Sequence, residues 1–518
     1  MSSFRCLSIL LIGLAAAASA QTRVISVDFT KVRGPHSTVW KECIGAGRAN
    51  EGLRADWQQQ LALVQKEIGF RYIRMHGLLH DDMGVYREVN GQPVYNWQYI
   101  DKLYDYLLRV GLKPFVELAF MPHDLASGDK TVFWWHGNIT PPKSYERWGE
   151  LIAHLVRHFR ERYGDAEVKT WYFEVWNEPD ISPFWSADLA EYLKLYRAAA
   201  EAVKSVSKDY RVGGPASASP YRFEQELVKY CARDHVPLDF ISTHSYGVKE
   251  GYFDDTGFRG TVLDGDRTAV RSRMLHSREL IRQSEMPNLP LHFTEWSSAY
   301  TPTDYVHDQY HQAAFILDKV KGAQEAVDSM SYWVFTDIFE ENGPRMTPFH
   351  GGFGLLNYQG IRKPAYFAYQ FMNRLGPEEL ADGDDSSWVC RNAAGDVQAL
   401  VWDFTPIVPP NGVNDQVFYK KEQPSRPVAT ASLKIDKLPA GTYALAVYQT
   451  GYRANDAYTT YLDMGSPSQL SRSQEESLRE TAGGAPARQE VVKHPGGLFV
   501  KDFPMRQNDV FLLVLRKL

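Results

Sequence analysis

Between about residues 40 and 345 the chain repeats one alternation eight times. A short run of apolar, β-branched or aromatic residues is followed by a longer segment whose apolar positions recur three and four residues apart. The short runs are "ECIGAG" (42–47), "RYIRMHG" (71–77), "KPFVELAF" (113–120) and "TWYFEVWNE" (170–178), then "YRVGGPA" (210–216), "DFISTHSY" (239–246), "PLHFTEWS" (290–297) and "MSYWVFTD" (330–337). Segments such as "NWQYIDKLYDYLLRVG" and "SYERWGELIAHLVRHFRERYG" lie between them and read as amphipathic helices. Strands that alternate with helices pair in parallel, and eight such units in roughly 300 residues match a (β/α)8 barrel in number and size. The expected fold class is therefore α/β, with the barrel over 40–357.

After about residue 365 the pattern changes. "WVCRNAAGDVQALVWDF", "ATASLKIDKLPAGTYALAVYQT" and "NDVFLLVLRKL" read as short strands separated by Gly and Pro turns, which predicts an antiparallel β-sandwich over 358–518. "TRVISVDFT" precedes the barrel, and the segment 21–39 is expected to lend a strand to that sandwich. "ETAGGAPARQE" reads as a surface loop. The first twenty residues carry one basic residue, an apolar run and Ala-Ser-Ala before Gln21, the form of a signal peptide. Export to the periplasm or the extracellular space is the expectation. The apolar run is short for a membrane span and no later stretch reaches that length, so no membrane insertion is expected. Cys43, Cys231 and Cys390 are widely spaced and read as buried free thiols; Cys6 falls in the leader. The formal net charge of −6 offers no basic surface for nucleic acid.

Barrels of this kind place their chemistry at the C-terminal ends of the strands. Two runs end there in acids: the fourth in Glu178, inside "WYFEVWNEPD", and the seventh in Glu295, inside "LHFTEWSS". A Pro after an acid also serves as a plain strand stop, and "NEP" alone is a weak signal. Two carboxyl groups facing one cavity can hydrolyse a glycoside. One protonates the departing oxygen, and the other attacks the anomeric carbon or activates water. Glu174 lies four residues before Glu178, roughly 13 Å lower at about 3.3 Å per residue. It and Glu117 are expected to be structural carboxylates inside the barrel. His80-Asp81-Asp82 are adjacent and cannot easily converge on one ion, so no metal is expected, and no cofactor. A content of 13 Trp and 29 Tyr suits either large cores or sugar-stacking surfaces.

These two motifs, with "RYIRMHGLLHDDM", "FISTHSYG", "YWVFTDIFEENG", "FHGGFGLLN" and "GYRANDAYTTYLDMGSP", resemble glycoside hydrolase family 39, the family of β-xylosidases and α-L-iduronidases. The resemblance runs from roughly Val24 to the C-terminus. It implies a retaining double displacement with Glu178 as acid/base, Glu295 as nucleophile and Asn177 holding the sugar 2-hydroxyl. It also implies His76 and Glu341 as hydroxyl ligands and Trp333 as the platform under the sugar. A satisfied core histidine, a solvated loop acid and plain core packing are the respective alternatives. His244 and Tyr246 stand beside the nucleophile's strand, placed to orient Glu295 or merely to pack the rim. Iduronidases need basic side chains for a uronate, and here Ser245 and Tyr246 follow His244 while Glu341 adds an acid. The expected activity is therefore that of a β-xylosidase on oligosaccharides or simple glycosides. β-Glucosidase, β-galactosidase, arabinosidase or α-L-iduronidase activity and a non-catalytic sugar-binding barrel are the alternatives. Exo or endo action and the oligomeric state stay open.

Overall fold

The structure is a computed structural model and describes residues 22–219, 221–253 and 259–518. The leader and Cys6 lie outside the described residues. Eight parallel strands close into a barrel: β1 (Cys43–Arg48), β2 (Tyr72–His76), β3 (Lys113–Leu118), β4 (Tyr172–Val175), β5 (Arg211–Ser217), β6 (Phe240–Tyr246), β7 (Leu291–Ser297) and β8 (Ser329–Tyr332). The helices around it are α1 (Ala55–Glu67), α2 (Gln98–Arg109), α3 (Tyr145–Tyr163), α4 (Leu189–Val206), α5 (Arg222–Asp234), α6 (Arg271–Arg282), α7 (Gln312–Ala323) and α8 (Pro364–Met372).

Local sequence accounts for these elements. α2 buries Ile100, Leu103, Tyr104 and Leu107, one stripe at three- and four-residue spacing. α3 starts where the Ser144 side chain accepts from the Arg147 N–H, and it stops at Gly164, whose φ of 84° suits a residue without a Cβ. Every residue of β6 and β7 is buried, as expected of strands covered on both faces.

Several boundaries differ from the sequence reading; β8, for one, ends at Tyr332 rather than at 337. β4 ends at Val175 rather than at 178, because Trp176 and Glu178 take left-handed φ values of 76° and 46° and turn the chain out of the ladder. The barrel also runs past 357. α8 is buried throughout, and its Tyr369 ring lies 5.9 Å from Tyr332 of β8 and 5.4 Å from Phe70. A helix with no polar face shows no amphipathic period, so the sequence pattern passes over it.

The C-terminal part is a two-sheet sandwich. One sheet has seven antiparallel strands, from Val32–Pro35 at one edge to Arg488–His494 at the other. The other holds Arg23–Asp28, Ala431–Leu438 and Gly497–Phe503. The sandwich is antiparallel as expected except for one pair: Arg23–Asp28 runs parallel to Ala431–Leu438. A strand brought in from before the barrel can meet the sheet in either sense, since no hairpin fixes its direction. Val389, Val401, Leu433, Ile435 and Leu513 fill the space between the sheets. The seven-stranded sheet turns Trp388, Leu400, Trp402 and Leu512 the other way, into the barrel's core. "ETAGGAPARQE" is a loop only over 482–487, between the helix Arg472–Thr481 and the strand Arg488–His494. Cys43, Cys231 and Cys390 are buried and free.

Where α8 begins, Lys363 is fully buried and its Nζ lies 2.7 Å from Asp308 and 3.1 Å from Asp337, with the Gly352 carbonyl accepting at 2.6 Å. Removing one member of a buried charge network leaves the others uncompensated, which costs about 3–5 kcal/mol. Lys363→Met is therefore expected to lower the unfolding free energy by about that amount, read as a fall in the denaturant midpoint with an unchanged slope. A midpoint equal to that of the parent protein would remove this network from the account of stability.

Candidate active site

β2, β3, β4 and β7 send polar side chains to one end of the barrel. Arg74 of β2 is at their centre and has no exposed surface. Its Nε donates to Glu174 at 2.5 Å and its Nη1 to Glu295 at 2.7 Å. Its Nη2 reaches Asn177 Oδ1 at 2.9 Å and Glu117 Oε2 at 2.8 Å. Burial pulls the guanidinium's pKa down, but Glu174, Glu117 and Glu295 together outweigh it and raise it. The sequence reading did not single out Arg74. Its signal was an arginine inside "YIRMH", a run otherwise suited to a buried strand.

Glu178 follows the turn that ends β4. Its backbone N–H donates to the Ala216 carbonyl at 2.9 Å, which ties the turn to β5. Glu295 is within β7. Both are nearly buried, at 7% and 4% exposure. The nearest ligand atoms of Glu178, His244 and Glu295 lie within 4.8 Å of one another. His80, Asp81 and Asp82 make no such group among the described residues: Asp81 pairs with Arg87 at 2.6 Å and Asp82 with Arg48 at 2.8 Å.

The partners of the two acids differ. Tyr246 donates its hydroxyl to Glu295 Oε2 at 2.6 Å. His244 Nδ1 is 2.7 Å from Glu178 Oε1 and 3.5 Å from Glu295 Oε2. Tyr246 thus bonds to Glu295, whereas the shorter contact of His244 is to Glu178. The register shift between β6 and β7 at Thr243/His244 aligns His244 with Glu295 in the ladder, and its side chain crosses toward β4. Burial drives both acids' pKa values up. For Glu178 the charge of Glu295 pushes further in the same direction. For Glu295, Arg74, His76 and the Tyr246 hydroxyl pull back. Of the two, Glu178 therefore holds a proton the more tightly and Glu295 is the more readily ionised. Burial also drives His244 well below its ordinary value, so the imidazole is neutral.

The other expected residues gather around the same acids. Asn177 is oriented by Arg74 through its oxygen, while its buried Nδ2 has no partner among the described residues. His76 Nδ1 lies 2.7 Å from Glu117, and its Nε2 lies 3.5 Å from Glu295 and 3.6 Å from Glu341. Burial lowers its pKa to about 3 and raises that of Glu117 to about 8. Burial, then the charge of Glu295, lifts Glu341 well above the carboxylate range. Trp333 follows β8 and is only 2% exposed. Its ring centroid is 4.7 Å from that of His76, and a Cβ on Gly45 would meet it at 2.5 Å. Trp333 is thus a wall of the cavity more than an open platform. Phe133, half-buried in the loop after β3, stacks on His76 at 5.8 Å and was not foreseen. Glu174 and Glu117 are structural, as expected, but not remote: the turn after Val175 shortens the path, and one guanidinium links both to Glu295.

Comparison with known proteins agrees with this geometry. The β-xylosidase of Geobacillus stearothermophilus is 45% identical over 372 residues, 70% of this chain and 74% of that protein. The β-xylosidase of Caldicellulosiruptor saccharolyticus is 40% identical over 466 residues, 88% of this chain and 90% of its own. The crystal structure of the GH39 enzyme from Xanthomonas axonopodis pv. citri superposes with a TM-score of 0.93 at 41% identity, covering 98% of this chain and all of that one. Residues 23–493 match glycosyl hydrolases family 39, and with eight strands closed around two buried carboxyl groups the chain belongs to that family.

Proposed function

We propose that the protein is a retaining β-xylosidase that releases xylose from short xylo-oligosaccharides. The observation that carries this reading is the unequal pair: a Glu178 that holds its proton the more tightly and a Glu295 that is the more readily ionised, with ligand atoms within 4.8 Å. So close an approach suits retention, where the carboxyl groups stand about 5–5.5 Å apart, better than inversion, where a gap of about 6.5–9.5 Å holds a water. The xylose preference rests on the two β-xylosidase relatives and on the acids around the sugar site. Export by the leader, to the periplasm or beyond the cell, is part of the same proposal, since xylo-oligosaccharides arise outside the cell.

The steps follow from the partners. Glu295 attacks the anomeric carbon while Glu178 gives its proton to the departing oxygen, so the glycosidic bond breaks as the glycosyl–Glu295 ester forms. Water then enters. Glu178, now ionised, takes a proton from it, the oxygen adds to the anomeric carbon, and Glu295 departs as a carboxylate. Asn177 Nδ2, with no partner among the described residues, is available to donate to the 2-hydroxyl, a contact that strengthens in the transition state. His76 and Glu341 offer a donor and an acceptor to the remaining hydroxyls. A neutral His244 beside Glu178 can hold the carboxyl in place as its proton leaves and returns.

Glu295→Ala is expected to lower turnover by ~10⁴-fold or more, as loss of a covalent nucleophile does, and azide should restore part of it with inverted product. Near-parental rates would sink the assignment of the nucleophile.

Glu178→Ala is expected to act according to the leaving group. General-acid help is worth ~10²–10⁴-fold, and dinitrophenolate scarcely needs it. The first step should therefore drop little on dinitrophenyl xyloside and by that range on xylobiose. An aryl burst and azide acceleration with retained configuration should accompany it. Equal losses on both substrates, without a burst, would show that Glu178 is not the acid.

Tyr246→Phe removes a hydrogen bond that lowers the pKa of Glu295. Since the free enzyme needs Glu295 ionised, the acid limb of kcat/KM should move to higher pH, with the alkaline limb moving less. A limb that stays in place or moves to lower pH contradicts the roles given to this pair.

A further inference from the structure

The turn that carries Glu178 leaves the barrel ladder through two left-handed residues, Trp176 and Glu178, at φ of 76° and 46°. Residues with a Cβ disfavour that region, so such a turn persists only where its surroundings hold it. The Trp176 indole ties the start of the turn to the Phe184 carbonyl at 2.9 Å. The Glu178 N–H is bonded to the Ala216 carbonyl. Pro179 follows and has no N–H to give. Beyond it the support comes from Asp180, the residue that closes "WYFEVWNEPD". Its Oδ1 accepts from the Ala218 N–H and its Oδ2 from the Ser219 N–H, each at 2.8 Å.

Those two N–H groups are consecutive in the chain, and together they use both oxygens of the carboxylate. Bonds to an ionised acceptor are stronger than neutral ones. An amide could accept from only one of the two donors and would turn its own NH2 against the other. The donating segment is itself held. Ser217 Oγ donates to Glu224 at 3.2 Å and lies 3.0 Å from Thr243 Oγ1. Next to Thr243 is His244, whose Nδ1 lies 2.7 Å from Glu178. The acid is thus fixed from two sides, through the backbone of its own turn and through its imidazole partner, and both supports rest on β5 and β6.

We propose that Asp180 is a positioning residue for the general acid, its doubly bonded carboxylate setting the turn on which Glu178 is presented to the departing oxygen. Its charge works in the same sense. Burial and the charge of Glu295 do most to raise the Glu178 pKa; Asp180 adds to them, Arg74 opposes, and Glu341 adds again, while His244 faces the acid as a neutral ring. At Asp180 itself burial raises the pKa and only backbone N–H groups pull it back, with no cation taking part. The proposal rests on the acid/base role given to Glu178 and adds the residue that holds that acid in place.

The test is Asp180→Asn in the full chain, with Asp180→Glu beside it, each measured for kcat/KM on xylobiose and on dinitrophenyl xyloside and across pH. A displaced acid costs the substrate that needs its proton. For Asp180→Asn, kcat/KM is expected to fall about tenfold or more on xylobiose, and several-fold less on dinitrophenyl xyloside. Since kcat/KM requires a protonated Glu178, its alkaline limb falls as pH rises through the Glu178 pKa. Loss of a negative neighbour lowers that pKa, and the limb should move to lower pH. Asp180→Glu keeps the charge and loses the fit, so it should show the loss on xylobiose with the limb nearer its parental place. Equal losses on both substrates, or a limb that stays or moves to higher pH in Asp180→Asn, would overturn the proposal. Loss of stability alone, with the pH profile and the substrate ratio parental in either variant, marks a purely structural residue and would overturn it as well. Glu178→Ala separates the two readings. If it fails its own leaving-group comparison, the acid assignment falls; if it passes while Asp180→Asn changes nothing, only the role of Asp180 falls.

Discussion

The site depends on one guanidinium. Arg74 is completely buried and touches three carboxyl groups and one amide, supplied by β3, β4, β7 and the turn after β4. One positive charge cannot balance three buried negative ones, and an isolated ion in such a place costs several kcal/mol. Protons must therefore remain among the acids, and Glu117, raised to about 8, holds one at neutral pH. What matters for catalysis is which acid stays ionised. Burial raises all of them. Glu295 is the one that also receives Arg74 directly, His76 at 3.5 Å and a tyrosine hydroxyl at 2.6 Å. Glu178 has a neutral imidazole for its close partner and feels the charge of Glu295. The same field that favours charge on one acid thus favours a proton on the other.

Such a cluster holds its geometry only if the strands beneath it cannot shift. Gly45 permits the Trp333 ring to lie close against β1, where it packs on His76 while Glu117 holds the imidazole Nδ1. On the outer side, the seven-stranded sheet is apolar on both faces. One face closes the sandwich and the other, through Trp388 and Trp402, continues the barrel's core. The C-terminal part is therefore joined to the barrel by packing rather than tethered to it. The strand Arg23–Asp28, which precedes the barrel in sequence, completes the smaller sheet and closes the chain upon itself.

The sequence made the barrel legible because all eight strands carry near-continuous apolar runs and the helices between them carry a clear period. The ends of β4 and β8 were less legible. A left-handed turn at Trp176 and Glu178 leaves no mark when neither residue is Gly. α8 was passed over because it is apolar on every side. Glu178 and Glu295 were readable as acids ending buried runs, and Asn177, His76 and Tyr246 followed from their neighbours. Arg74 was not, since a single arginine in a strand reads equally as an edge or a core position until its partners are known. His244 was read as a partner of Glu295, and its shorter contact is to Glu178. Its neighbours in the ladder are on β7, whereas its side chain reaches β4.

The electrostatics also bear on which sugars fit where. A uronate at the catalytic acids would meet the charge of Glu295, and Arg74, the central cation there, is already engaged by three acids. A like charge placed beside it costs several kcal/mol. Neutral hydroxyls meet the opposite situation: acceptors on Glu341 and Glu295, donors on Asn177 and His76, and nothing that must be neutralised.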